Sequence, residues 1–232
     1  MNIELFIEET KKLGINIKEN QLVKLDKFYH LLIEWNAKMN LTRITEKEEV
    51  YLKHFYDSLT LSKVIDLNQD LTLCDVGSGA GFPGIVLKIV FPNLKIKLVD
   101  SLQKRVNYLN EIINELELTD IKAIHTRAED YAKNNRENFD IVTARAVANL
   151  KMLSELCIPM VKVNGYFIAM KANIDEEKEE SKDILNKLNS KIEYIETFHL
   201  PIEESIRNIV KIKKEVKTNP IYPRKIEKMR SK

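Results

Sequence analysis

The chain has 232 residues, of which 44% are hydrophobic and 31% charged, and a formal net charge of +2. That length can bury a sizeable core, and the balance excludes a disordered, collagen-like or disulfide-framework protein. No apolar run approaches the roughly 18 residues needed to cross a membrane, and Met1-Asn2-Ile3-Glu4-Leu5-Phe6 lacks a basic segment leading into an apolar one, so a cytoplasmic protein with no membrane partner is expected. Cys74 and Cys157 have no C-x-x-C or Cys/His spacing, and His30, His125 and His199 are scattered. No metal site is expected from such a pattern.

In chain order, apolar residues at Ile3, Phe6 and Ile7 and then at Leu22, Leu25, Phe28, Leu32 and Trp35 recur at helical spacing, which predicts two or three amphipathic helices. A further helix over 46–64 brings His54, Asp57 and Ser58 onto one face. A catalytic triad needs a separately oriented nucleophile and an oxyanion hole, so a structural hydrogen-bond cluster is the expected role. From Leu71 the pattern alternates: strands near 71–76, 95–100, 121–126, 139–144 and 163–170, helices over 82–91, 102–117, 149–158 and 175–188, and last strands near 190–199 and 207–213. This predicts an α/β fold of Rossmann-like type, a mostly parallel sheet with helices on both faces and ligands at the carboxyl ends of the strands. Residues 1–68 read as a helical extension, 69–216 as the core and 217–232 as a basic C-terminal arm.

The strand near 71–76 enters the run Cys74-Asp75-Val76-Gly77-Ser78-Gly79-Ala80-Gly81-Phe82-Pro83-Gly84. Glycines there let a ligand approach the backbone, and a helix opening near Pro83 aims unpaired N–H groups at the same space. Gly79-x-Gly81-x-x-Gly84 satisfies the dinucleotide pattern. Asp75, however, places an anion at the strand end, which repels a pyrophosphate and suits a cationic ligand. S-adenosylmethionine, with an α-ammonium, a sulfonium and no phosphate, fits both Asp75 and Asp100, the carboxylate ending the second strand. A dinucleotide and a ligand-free glycine turn stay as alternatives. Asp100 can accept from two ribose hydroxyls, and Ser101 is either beside it in the site or a helix N-cap.

Arg145 ends the strand near 139–144, at the lip over which a methyl group must pass. Enzymes that methylate exocyclic amines carry Asp/Asn-Pro-Pro-aromatic there, whereas this chain has Thr143-Ala144-Arg145-Ala146. Methylation at cytosine carbon needs a cysteine nucleophile, and Cys74 and Cys157 are poorly placed. Guanine N7 has an in-plane lone pair and no proton to remove, so positioning alone can carry the reaction. Lys171, ending the fifth strand, can reach a phosphate or a base. Residues 211–232 hold nine Lys or Arg against two Glu, while the other 210 residues hold 28 basic and 33 acidic groups. Such a basic end fits a phosphate backbone, with a solubilising tail as the alternative. Asn219-Pro220-Ile221-Tyr222-Pro223-Arg224-Lys225 reads as an extended arm, with Tyr222 free to stack on a base and Arg224 and Lys225 on phosphates. Truncation after Val216 is expected to weaken RNA binding and spare cofactor affinity.

Nearly the whole chain resembles the bacterial small-subunit ribosomal RNA guanine-N7 methyltransferases, formerly called glucose-inhibited division protein B. The resemblance rests on Trp35-Asn36 with Asn40-Leu41-Thr42, His54-Phe55-Tyr56-Asp57-Ser58, the Asp75 to Gly84 loop, Asp100-Ser101-Leu102 with Lys104-Arg105, Arg127-Ala128-Glu129, Ala144-Arg145-Ala146-Val147-Ala148 and Tyr222-Pro223-Arg224-Lys225, in that order. It implies S-adenosylmethionine as cofactor and a small-subunit ribosomal RNA or particle as partner. It further implies that Asp75, Gly77, Gly79, Phe82, Asp100 and Ser101 bind the cofactor, that Ala128 and Glu129 bracket its adenine, and that Arg145 meets its methionyl carboxylate. Asn40-Leu41-Thr42 and the His54 helix would then wall the site. An assembly factor with a vestigial pocket, or a methyltransferase acting on a protein or small molecule, are the rival readings.

Overall fold

The computed structural model describes residues 1–145 and 148–230; Ala146 and Val147 of the Arg145 motif and Lys232 of the basic tail lie outside them. The extension begins with the helix Ile3–Lys12, capped by Asn2, whose Oδ1 accepts from the Leu5 N–H at 2.9 Å. The second helix, Glu19–Met39, buries Gln21, Leu25, Phe28 and Leu32 along one face and stops at Asn40, whose φ of 52° is left-handed. Where the sequence predicts one regular helix over 46–64, the chain changes pitch instead. Lys47–Val50 is α-helical, Tyr51–Tyr56 is a wider π turn, Asp57–Leu59 returns to α, and Thr60–Lys63 tightens to 3-10. Aromatic packing accompanies that winding: Tyr51 meets Phe6 edge-on at 5.2 Å, Phe55 stacks on Phe28 at 5.6 Å, and Phe28 reaches Phe82 of the glycine loop at 5.4 Å. The extension is thus part of the same core as the sheet.

Seven strands form one sheet: β1 (Thr72–Val76), β2 (Lys95–Asp100), β3 (Ile121–His125), β4 (Phe139–Arg145), β5 (Val161–Lys171), β6 (Ser190–His199) and β7 (Ile206–Lys214). Their order is β3-β2-β1-β4-β5-β7-β6, with β1 to β5 parallel and β7 antiparallel to both β5 and β6. The chain winds one way from β1 to β2 and the other way to β4, and ligands enter an α/β sheet at such a reversal. Because β7 runs backwards, Asn208 lies beside Lys171, so β7 begins where β5 ends. The helix Ala128–Asn134, which the sequence reading leaves as a loop, follows β3 and buries Glu129, Tyr131 and Ala132. At seven residues it is too short to display a helical period.

The expectation of an extended arm with Tyr222 free to stack is corrected here. Arg136 donates to the carbonyl oxygens of Thr218, Asn219 and Tyr222. Tyr222 is 8% exposed and belongs to the second hydrophobic cluster, so its ring is not available to stack on a base. Arg224 forks onto Glu155 with Nε–Oε1 2.8 Å and Nη2–Oε2 2.7 Å, and Lys214, 1% exposed, pairs with Glu137 at 2.8 Å. A buried carboxylate such as Glu155 needs a cation beside it, and the tail supplies one. Part of its positive surplus is therefore neutralised within the fold.

The glycine loop sets a steric limit. A Cβ at Gly84 would overlap Leu98 Cδ2 and stand 2.8 Å from Asp75 Oδ2. Gly84→Ala is expected to cost about 1–3 kcal/mol in urea unfolding; an unchanged midpoint would show that the helix Gly84–Val90 shifts freely.

Candidate active site

A cavity of about 400 Å³ opens where β1, β2 and β3 end, lined among others by Gly77, Asp100, Ser101, Ala128, Glu129 and Arg145. Gly77 and Gly79 take positive φ of 73° and 55°, which turns the loop back toward β2. The Gly79 N–H then donates to Asp100 Oδ2 at 3.0 Å, and the Leu102 N–H donates to Oδ1 at 2.9 Å. Two loops therefore fix the carboxylate, which is 3% exposed and keeps a further lone pair on each oxygen. Ser101 is not a cap: the helix Gln103–Glu115 begins after Leu102, and Ser101 lines the cavity.

Three expected contacts fall elsewhere. Asp75 is fully buried, with Oδ2 accepting the Gly84 N–H at 2.9 Å and Oδ1 without a hydrogen-bond partner among the described residues, so one oxygen braces the loop, and the residue does not line the cavity. Gly79 likewise acts through Asp100. Phe82 is 5% exposed and stacks on His54 at 4.4 Å, beneath the Arg145 guanidinium at 5.2 Å, so its place is the floor under Arg145. Alternation along β1 cannot say whether Asp75 turns toward the loop or the ligand, and the structure gives its Oδ2 to the loop.

Glu129 is 7% exposed, and its Oε2 has no hydrogen-bond partner among the described residues. A buried acceptor left unpaired costs about 1–3 kcal/mol. A donor-bearing ligand relieves that cost, and S-adenosylmethionine carries ribose hydroxyls, an exocyclic amine and an ammonium. The buried acceptors of the cavity, Asp100 and Glu129, fit the donors of that cofactor.

A second cavity of about 310 Å³ shares Arg145 with the first. Lys53, His54, Asp57, Lys171 and Arg207 stand around it. Arg145 donates to Asp57 Oδ2 at 3.0 Å, to the Lys53 carbonyl at 3.3 Å and, through Nη2, to His54 Nδ1 at 3.3 Å. With Nδ1 accepting, the imidazole proton belongs on Nε2, which lies 2.9 Å from Thr42 Oγ1. Burial, aided by the Arg145 charge, lowers the His54 pKa to about 3 and keeps the ring neutral. Ser58 turns its hydroxyl onto the His54 carbonyl and takes no part in the cluster. Lys171 pairs with Glu177 at 2.9 Å and donates to the Ala148 carbonyl, so a phosphate would have to compete for it. Arg207, which reaches Asp57 Oδ1 at 3.2 Å, escaped sequence reasoning because the reversal of β7 puts it there.

Residues 21–210 match the family described as rRNA small subunit methyltransferase G. Proteins named ribosomal RNA small subunit methyltransferase G from Bacillus cytotoxicus and Oceanobacillus iheyensis are 54% and 52% identical to the chain over 228 residues, covering 97% of it and 95% and 96% of their own lengths. The chain belongs to this family. It is therefore a methyltransferase, and S-adenosylmethionine is its methyl donor. Solved structures carry the same fold: a SAM-dependent methyltransferase from Aquifex aeolicus (TM-score 0.54, 19% identity, 75% of this chain and 96% of that one), and M. jannaschii TYW2 in complex with AdoMet (TM-score 0.51, 16% identity, 63% and 70%).

Asp100→Ala is expected to weaken S-adenosylmethionine binding by about 1.5–3 kcal/mol in calorimetric titration; parental affinity would remove Asp100 from the site. A second expectation concerns pH. Burial pushes the Asp75 carboxyl up to about 7 against the opposing pull of the Gly84 N–H, starting from an ordinary value of 3.8. The folded state holds an extra proton between those values, so this contribution to stability is full below 3.8 and is lost as pH rises through about 7. Asp75→Asn should flatten that fall in unfolding free energies of the cofactor-free chain between pH 4 and 8. Parallel slopes for variant and parent would contradict it.

Proposed function

We propose that this chain transfers a methyl group from S-adenosylmethionine to N7 of a guanine in small-subunit ribosomal RNA, in the cytoplasm where that RNA is assembled. The observation that carries the reading is the pair of cavities meeting at Arg145: in one, Asp100 and Glu129 offer buried acceptors, with Arg105 and Arg127 near them, and in the other Lys53, Lys171 and Arg207 outnumber Asp57. When bound, the cofactor supplies an electrophilic methyl on a sulfonium. Asp100 and Glu129 would hold its ribose and adenine end, and Arg145 its carboxylate. Lys53, Lys171 and Arg207 give the neighbouring cavity the charge to receive a nucleotide, although each is already paired: Lys53 with Glu49 and Glu203, Lys171 with Glu177, Arg207 with Asp57.

The acid-base inventory favours N7 within this scheme. His54 is neutral, and its Nδ1 is occupied by Arg145. Both cysteines are fully buried, and burial pushes each thiol up, away from the thiolate that carbon methylation requires. Nucleophilic N7 needs no base. What remains for the protein is to hold the ring in line at near-attack distance and exclude water. Contact of Lys225 with RNA phosphates, expected from the charge of the tail, is supported by its exposure.

Purified chain, labelled methyl donor and ribosomal RNA or small subunits from a strain lacking the gene should yield label in the small-subunit RNA, released as 7-methylguanosine. Label in protein, or at another position of the base, would contradict the proposal. Arg145→Ala should reduce single-turnover rates at least tenfold, and Arg145→Lys should recover little, because an ammonium lacks the two-point fork. Near-parental rates in both would leave Arg145 a structural charge.

A further inference from the structure

The C-terminal segment, which the sequence pattern assigns to RNA, reaches the cofactor cavity through Ile226. Ile226, half-buried at the start of the helix Ile226–Arg230, lines that cavity together with Met152 and Leu156 of the helix Leu150–Cys157. Those three side chains give apolar lining to a cavity whose polar side includes Asp100 and Glu129. The segment is fixed to the same helix, since Glu155 is 2% exposed and takes three bonds from Arg224, through its backbone N–H, Nε and Nη2 at 2.8, 2.8 and 2.7 Å. Upstream, Arg136 ties down three carbonyls and Tyr222 is buried. Releasing the segment would strand a buried carboxylate, which is strongly destabilising. It is therefore a fixed part of the fold and not a loose arm.

We infer that Ile226 forms part of the wall of the cofactor site and packs against bound S-adenosylmethionine, with the Arg224–Glu155 fork holding its segment there. This rests on the cofactor reading above. An apolar group beside a purine or ribose gains by excluding water from it, and the segment's docking before the ligand arrives spares the ordering cost on binding. Residues far from the glycine loop in sequence thus belong to the same site.

The test is calorimetric titration of the full chain with S-adenosylhomocysteine, compared with Ile226→Ala and with a chain ending at Lys225, which keeps the Arg224–Glu155 fork. Affinity should fall about 3- to 10-fold in Ile226→Ala and further in the shortened chain, while thermal unfolding without ligand shows both still folded. Parental affinity in both folded variants would overturn the inference and leave the cofactor reading intact. Absence of binding by the parent chain would overturn the cofactor reading, and this inference with it.

Discussion

Everything around the reaction centre depends on how Arg145 is held. The guanidinium ends β4, lies over Phe82 and gives Nη1 to the Asp57 carboxylate and the Lys53 carbonyl and Nη2 to His54 Nδ1. Those partners come from the helical extension, not from the sheet. Asp57 is 5% exposed and also receives Arg207 from β7, so one buried carboxylate joins three parts of the chain. A buried ion pair is costly to assemble and costlier to break on one side. The site is therefore complete when the extension is docked, and the aromatic packing of Phe28, Phe55 and Phe82 docks it.

On either side of that guanidinium the chemistry divides. On one side Asp100 and Glu129 offer buried acceptors, with Arg105 and Arg127 at 3.6 and 3.9 Å from them, and on the other Lys53, Lys171 and Arg207 outnumber Asp57. Neither His54 nor Asp75 stands as a base aimed into the cavities. His54 is held neutral by burial, and Asp75, the group pushed to about 7, faces Gly84 and not the cavity. A reaction limited by alignment needs no such base, which is consistent with a ring nitrogen as nucleophile.

The sequence discloses the strands and the glycine loop well because buried parallel strands are short apolar runs bounded by punctuating residues, and a loop with left-handed positions needs glycine. Asp100 and Arg145 are visible for the same reason: each closes a strand whose end must face the ligand. The directions of Asp75 and Phe82 are not visible, since both depend on what packs behind the loop. Arg207 is hidden by a strand reversal that no local pattern encodes. The tail misleads through its composition. Its charge is real, but Lys214 and Arg224 answer buried glutamates, and Tyr222 fills a core. Counting charges along a sequence cannot distinguish a lysine that meets RNA from one that meets Glu137.

The central claim is that Arg145 is the shared boundary between the cofactor and acceptor cavities. A crystal structure of the chain soaked with S-adenosylhomocysteine tests it most directly. The account predicts density between Asp100 and Arg145, with ribose oxygens on the Asp100 carboxylate, the amino-acid end at Arg145 and the second cavity open beyond it. Density in the second cavity, or a ligand that leaves Asp100 and Arg145 untouched, would contradict the account.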